Sequence, residues 1–195
     1  MSARTTRGQI IEAADLLFYH QGYDHTSFAD IAGAVQISRG NFYHHFKSKD
    51  EILEAVIALR LSNTQRMLDR WEAEGQLPAD RIRSFIGILI INRTRIMRYG
   101  CPVGTLCTEL AKLDHVAQAE ANRIFTLFRD WLCRQFALLG LEAEADSSAM
   151  HILAWSQGVA TLANAFHDEV FLRQEVDRMY AWLEACGQRA GTLSA

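Results

Sequence analysis

A chain of 195 residues that is 49% hydrophobic and 22% charged is long enough to bury a core and too apolar to stay disordered. Its formal net charge of −3 excludes a wholesale basic binder of nucleic acid. The first 60 residues do not reverse that balance, with six Lys/Arg (Arg4, Arg7, Arg39, Lys47, Lys49, Arg60) against seven acids (Glu12, Asp15, Asp24, Asp30, Asp50, Glu51, Glu54), so any contact with nucleic acid rests on where charges sit.

The chain has two prolines and no lengthy alternation of apolar and polar residues, which predicts an all-α fold. The first helix is expected from about Thr6 to His20, with Thr6 and Gln9 at capping-box spacing, Ile10, Ala14, Leu17 and Phe18 on one face, and Gly22 as its stop. A short helix comes next, capped by Thr26 or Ser27 and burying Phe28, Ile31 and Ala32. A break at Val35–Ile37 leads to a second short helix with Ser38 as N-cap and Phe42 inward. Ser48 and Glu51 form a capping box before a long helix whose apolar stripe runs Leu53, Val56, Ile57, Leu61, Met67, Leu68, Trp71. Beyond Gly75 and Pro78, Asp80–Arg98 is expected as one central helix, apolar nearly all round over Phe85–Ile91. Gly100 and Pro102 then open a short helix to Leu113. His115–Leu139, Asp146–Phe166 and Glu169–Cys186 complete the set, and Gly187–Ala195 reads as a tail.

The informative stretch is Thr26–Lys49, TSFADIAGAVQISRGNFYHHFKSK. Two short helices joined by a tight turn, with Ala29, Ala32, Gly33 and Ala34 where they cross, form a helix-turn-helix pattern. The second presents Ser38, Arg39, Gly40, Asn41, Tyr43, His44 and His45, followed by Lys47 and Lys49. In a major groove Arg39 suits guanine edges and Asn41 adenine. The absent side chain of Gly40 lets backbone come close, and Tyr43, the histidines and the two lysines suit phosphates. Amides at the helix starts near Thr26, Ser27 and Ser38 add donors. Spacing alone leaves open that this is merely a solvated face.

The run Thr26–Phe28, Asp30–Ala32, Gly33–Val35, Ser38 and Gly40–Lys47 with Lys49 and Glu51 resembles the DNA-binding domain of TetR-family repressors, over roughly Ile10–Leu59. Gln36–Ile37 stands where many members have a Gly-containing turn, and Phe42 replaces a common leucine. The resemblance implies a helix-turn-helix domain over residues 1–48 and a helical effector-binding and dimerisation domain over 49–195. It also implies double-stranded operator DNA, a small-molecule effector and a second copy of the chain as partners.

Two stripes in the last helices suit a dimer interface: Met150, Leu153, Ala154, Gly158, Leu162 in one and Leu172, Val176, Met179, Tyr180, Leu183 in the other. Packing on the chain's own core is the alternative for each, and the resemblance, whose family dimerises through a four-helix bundle built from this region, favours the interface. Phe85, Leu89, Arg93, Met97, Phe125, Phe128, Trp131, Trp155 and Phe166 are candidate walls of an effector pocket, apolar with few polar groups. Cys101, at the start of a short helix, is either a small hydrophobe or a thiol activated by helix amides. Its Gly-Cys-x-x-Gly setting is similar to a subset of the family, some of which sense electrophiles.

No phosphate-loop, dinucleotide, HExxH or GxSxG arrangement is present, so neither an enzyme nor a cofactor is expected. His167-Asp168-Glu169 reads as a polar cap on the last helix rather than a metal site. Cys101, Cys107, Cys133 and Cys186 form no CxxC pair and Met1–Gln9 lacks an apolar leader core, which points to reduced thiols in the cytoplasm. Phe85–Ile91 is too short to span a membrane.

Overall fold

The computed structural model describes residues 5–193, except for the side chains of Arg39 and of residues 190–193. Among the described residues there is no strand. The helices are α1 (Thr6–Gln21), α2 (Phe28–Val35), α3 (Arg39–His45), α4 (Lys49–Glu74), α5 (Pro78–Ile91), α6 (Arg93–Tyr99), α7 (Pro102–Lys112), α8 (Gln118–Leu138), α9 (Ala145–Phe166) and α10 (Glu169–Leu193), with a 3-10 turn at Glu142–Glu144.

The starts and stops have local causes. Thr5, one residue before the expected cap, accepts the Gly8 amide at 3.2 Å and opens α1. Ser27 accepts the Asp30 amide at 3.2 Å while Asp30 reaches back to the Ser27 amide at 2.8 Å, a complete capping box. Gln36 closes α2 in the left-handed region at φ 56, taking the conformation that glycine supplies more cheaply. Ser48 accepts the Glu51 amide at 3.1 Å, but the Glu51 carboxylate turns to the Lys47 amide at 2.6 Å instead of completing the box at Ser48.

Two expectations need correction. The single helix Asp80–Arg98 is two helices, because the Asn92 side chain donates to the Ile88 carbonyl at 3.0 Å beside its own backbone N–H on that oxygen. That side-chain bond competes with the regular ladder. Ile91, counted as core, is 75% exposed at this break. The expected tail is also helical as far as Leu193, with Cys186 fully buried on its inner face. Residues 194–195 lie outside the described residues.

The chain falls into two compact units. The first comprises residues up to Asn63 together with Pro102–Ile124. Its core is Ile10, Ala14 and Phe18 of α1, Ile31 of α2, Phe42 of α3, Phe46, the α4 residues Ile52, Leu53, Val56 and Ile57, and Leu106 and Leu110 of α7. Full burial of the Ile, Leu, Val and Phe side chains among these stabilises by about 1.5–3 kcal/mol each. In this packing the first half of α4 and α7 group with α1, α2 and α3. Helices as short as α2 and α3 cannot bury a core by themselves, and the first half of α4 and α7 supply the missing walls.

The second unit comprises Thr64–Cys101 with Phe125–Ala195. In it α5 packs on α10, and α9 packs on both α6 and α10. Trp131, Leu132 and Phe136 of α8 are buried with Ile82 and Ile86 of α5, Ile152 of α9 and Leu172 of α10.

Candidate nucleic-acid interface

Within the first unit α2 and α3 are joined by aromatic packing. The Phe28 and Phe42 rings meet edge-on at 5.1 Å, and Tyr43 stacks on Phe28 at 5.6 Å with 17° between planes. Phe42 and Phe46 are 1% exposed and anchor α3 from below. Outward stand Ser27, Ser38, Gly40, Asn41, Tyr43, His44 and Lys47, all exposed, with His45 half-buried. Tyr43 is 50% exposed, held flat by Phe28 with its hydroxyl free of the core. A Cβ built on Gly40 meets nothing within 4 Å, so the surface there is bare backbone. Arg39, the expected guanine reader, has a side chain outside the described residues.

Two expected contact residues are otherwise engaged. Thr26 is 1% exposed: its hydroxyl donates to the Gly22 carbonyl at 2.6 Å and accepts from Gln21 at 3.3 Å, so it braces the α1–α2 corner and is not open to a ligand. Lys49 donates to the Tyr23 and Asp24 carbonyls at 3.0 and 3.3 Å and lies 4.2 Å over the Tyr23 ring. Its charge is directed at that corner rather than outward. Lys47 donates to the Tyr43 carbonyl at 2.5 Å, at the exposed end of α3. Tyr23 itself is buried and donates to Asp50; burial first, then that bond and the neighbouring carboxylates, push its phenol far above the ordinary value. Tyr23 and its partners escape a reading of the sequence, since a lone Tyr-Asp pair after a glycine has no signature.

In the second unit the candidate effector walls separate. Phe85, Leu89, Phe128 and Trp131 are buried, Phe85 and Phe128 meeting edge-on at 5.4 Å. Met97, Phe125 and Trp155 are half-buried. Arg93 is tied to Glu169 at 2.9 Å. Phe166 is 71% exposed at the end of α9 and walls no interior space. The indole N–H of Trp131 is buried with no hydrogen-bond partner among the described residues. Its ring lies 5.7 Å from that of Trp71, which lines an open groove of about 700 Å³ with Arg83, Ser84, Gly87, Val176 and Tyr180. This groove shares no residue with the expected walls, because Phe and Trp at helical spacing mark core as readily as cavity. Cys101 is half-buried, one position ahead of α7.

The two expected interface stripes also part company. Leu172, Val176, Met179 and Leu183 of α10 are at most 5% exposed and Tyr180 is half-buried beside α5, so that stripe is this chain's own core. Leu153 is likewise buried. Met150 (45%), Ala154, Gly158 and Leu162 (43%) are exposed along one face of α9, continuing to Phe166. Asp168 accepts the Phe171 amide at 2.9 Å, capping α10 as expected. Among the described residues no three His, Cys, Asp or Glu groups are placed to hold a metal, and no helix is long and apolar enough to cross a membrane.

Comparison with known proteins agrees with this geometry. Residues 10–56 match the family described as bacterial regulatory proteins, tetR family. Residues 78–177 match the C-terminal domain described as transcriptional regulator LmrA/YxaF-like. An HTH-type regulator of Lactococcus lactis, encoded in the lacX 3' region, is 28% identical over 190 residues, 95% of this chain and 97% of that protein. TtgR of Pseudomonas putida is 27% identical over 186 residues, 90% and 88% of the two chains. The crystal structure of a TetR regulator from Legionella pneumophila superposes with a TM-score of 0.81 at 25% identity, covering 95% of this chain and 98% of that one. A helix-turn-helix with a polar outer face, followed by a helical unit of LmrA/YxaF-like type, places this chain in the TetR family of transcriptional regulators, which bind DNA and are not enzymes.

Proposed function

We propose that the chain is a ligand-responsive repressor that binds a palindromic operator as a homodimer and releases it when a small, mostly apolar effector occupies the second unit. The observation that carries the DNA reading is the outer surface of α3. Asn41, Tyr43, His44 and Lys47 stand exposed over a fully buried Phe42 and Phe46. Groups that can hydrogen-bond base edges and phosphates are thus held on a helix whose inner side is fixed.

The dimer reading rests on α9. Met150, Ala154, Gly158, Leu162 and Phe166 recur every four residues on an exposed face, with small residues at its centre that permit close helix approach. Two reading helices in such a dimer meet half-sites about 34–36 Å apart, or a multiple of that. The effector reading is supported by the open groove of about 700 Å³ lined by Trp71, Gly87, Val176 and Tyr180 in the second unit. A coupling of about 1–3 kcal/mol between effector and operator would weaken DNA binding roughly 5- to 150-fold.

The test is selection of bound fragments from random-sequence DNA, with the stoichiometry of the complex measured by sedimentation. Recovery of an inverted repeat bound by an even number of chains is the expected result. Recovery of single, non-repeated sites bound by one chain would overturn the dimer. No enrichment at all would overturn the operator reading.

A further inference from the structure

The corner between α1 and α2 is gripped by a residue far outside the helix-turn-helix. Glu109, in the third turn of α7, places one carboxylate oxygen on the Tyr23 amide and the other on the Asp24 amide, each at 2.9 Å. Successive amides turned to one side form a concavity suited to an anion, and bonds to a charged acceptor are about twice as strong as neutral ones. The corner is shaped for this guest. Gly22 sits at φ +91, and a Cβ there would come within 2.8 Å of the Glu109 Oε1. From the opposite edge Lys49 takes the Tyr23 and Asp24 carbonyls. The peptide between residues 23 and 24 is therefore held at its N–H by an anion and at its C=O by a cation.

The DNA-facing pair of helices begins directly after this corner. Thr26 bonds back to the Gly22 carbonyl, Ser27 caps α2, and Phe28 of α2 packs on Phe42 of α3. A shift at residues 23–24 is thus handed directly to both helices. The other end of α7 is also fastened within this unit: the nearly buried Arg60 of α4 donates to the Pro102 carbonyl and to Asp15 of α1, both at 2.6 Å. With its first turn fixed by Arg60, α7 presents the Glu109 carboxylate at a defined height on the corner.

We propose that Glu109 is a positioning residue for DNA binding, its carboxylate seated on the Tyr23 and Asp24 amides to fix where α2 begins and so the pose of α3. The proposal rests on the assignment of the α3 surface to DNA. Glu109 touches no DNA, so its loss has a signature that loss of a phosphate contact does not share. In Glu109→Gln the amide offers one oxygen and one NH2, and a donor then faces a backbone donor.

The experiment uses the full chain and a DNA fragment selected by the parent protein, with affinity read across a salt series and amide exchange read at residues 23 and 24. For Glu109→Gln the expected result is faster exchange at both amides and an affinity loss of about tenfold, with the slope of log affinity against log salt unchanged. Lys47→Ala, run beside it, is expected to lower the slope while leaving exchange at the two amides as in the parent. Faster exchange at the amides with parental affinity would overturn the proposal, as would a salt slope that falls with the substitution. If Glu109→Gln does not fold, Gly22→Ala displaces the carboxylate from the other side and is read by the same two outcomes. Should the parent itself select no DNA, the DNA-binding reading fails rather than this one.

Discussion

Gln36 and Gly40 stand a few residues apart and show opposite mismatches between residue and backbone. Gln36 ends α2 at φ 56, a conformation that L side chains adopt at a penalty of about 1 kcal/mol. Gln36→Gly is therefore expected to stabilise the chain by up to about 1 kcal/mol, offset in part by glycine's greater freedom when unfolded. Thermal unfolding would register a rise of about 2–4 °C per kcal/mol for a chain this size. Gly40 lies within α3, where open space surrounds a built Cβ and alanine would favour the helix by about 0.5–1 kcal/mol. Gly40→Ala is expected to raise the unfolding temperature and to weaken DNA binding, because the new methyl would stand on the bare surface proposed to approach DNA. A variant more stable and equally tight would remove Gly40 from the interface.

The α2 cap shows how far an element depends on a few polar atoms. Ser27→Ala removes the hydroxyl that accepts the Asp30 amide and is expected to cost about 1 kcal/mol. The Ser27 hydroxyl and then its amide hold the Asp30 carboxyl below its ordinary value of 3.8. A carboxyl depressed in the folded state contributes fully above its unfolded value, and that contribution is lost as pH falls through the lowered folded value. Chemical denaturation of parent and Ser27→Ala should therefore differ most at neutral pH, with the gap narrowing as pH falls below 3.8 and leaving the part due to the Asp30 amide bond. A constant gap down to that range would mean that the hydroxyl alone, without Asp30, sustains the cap. Most element boundaries were legible because glycine, proline and hydroxylated caps act locally. The break at Asn92 was not, since it depends on which carbonyl the Asn side chain finds. The candidate contact face was legible at Asn41, Tyr43 and Lys47 but not at Thr26 and Lys49. Their polar atoms are consumed by Gly22, Tyr23 and Asp24, and that pairing exists only once the corner has folded.

For the whole molecule, periodicity identifies apolar faces without saying what covers them. The α10 stripe and the α9 stripe look alike in sequence, yet Leu172 and Val176 are buried on α5 while Met150 and Leu162 remain exposed. Only the second is open to another copy. Leu162→Glu, an exposed substitution that leaves the core untouched, is expected to shift the protein from dimer to monomer in sedimentation equilibrium and to abolish tight operator binding. A dimer of unchanged affinity would exclude the α9 face. The expected pocket walls show the same ambiguity, since Phe85 and Phe128 are buried edge-on against each other while the open groove is lined by Trp71, Gly87 and Tyr180.

The most direct measurement is the salt dependence of operator affinity, by fluorescence anisotropy, for the parent, Lys47→Ala and Asn41→Ala. Neutralised phosphates release counterions, so the parent should lose affinity steeply with salt, and Lys47→Ala should reduce the log–log slope by about 0.9. Asn41→Ala should keep the parental slope and lose about 1–3 kcal/mol of discrimination against altered sites. Affinity insensitive to salt, or the same slope and selectivity in all three proteins, would contradict the assignment of the α3 surface to DNA.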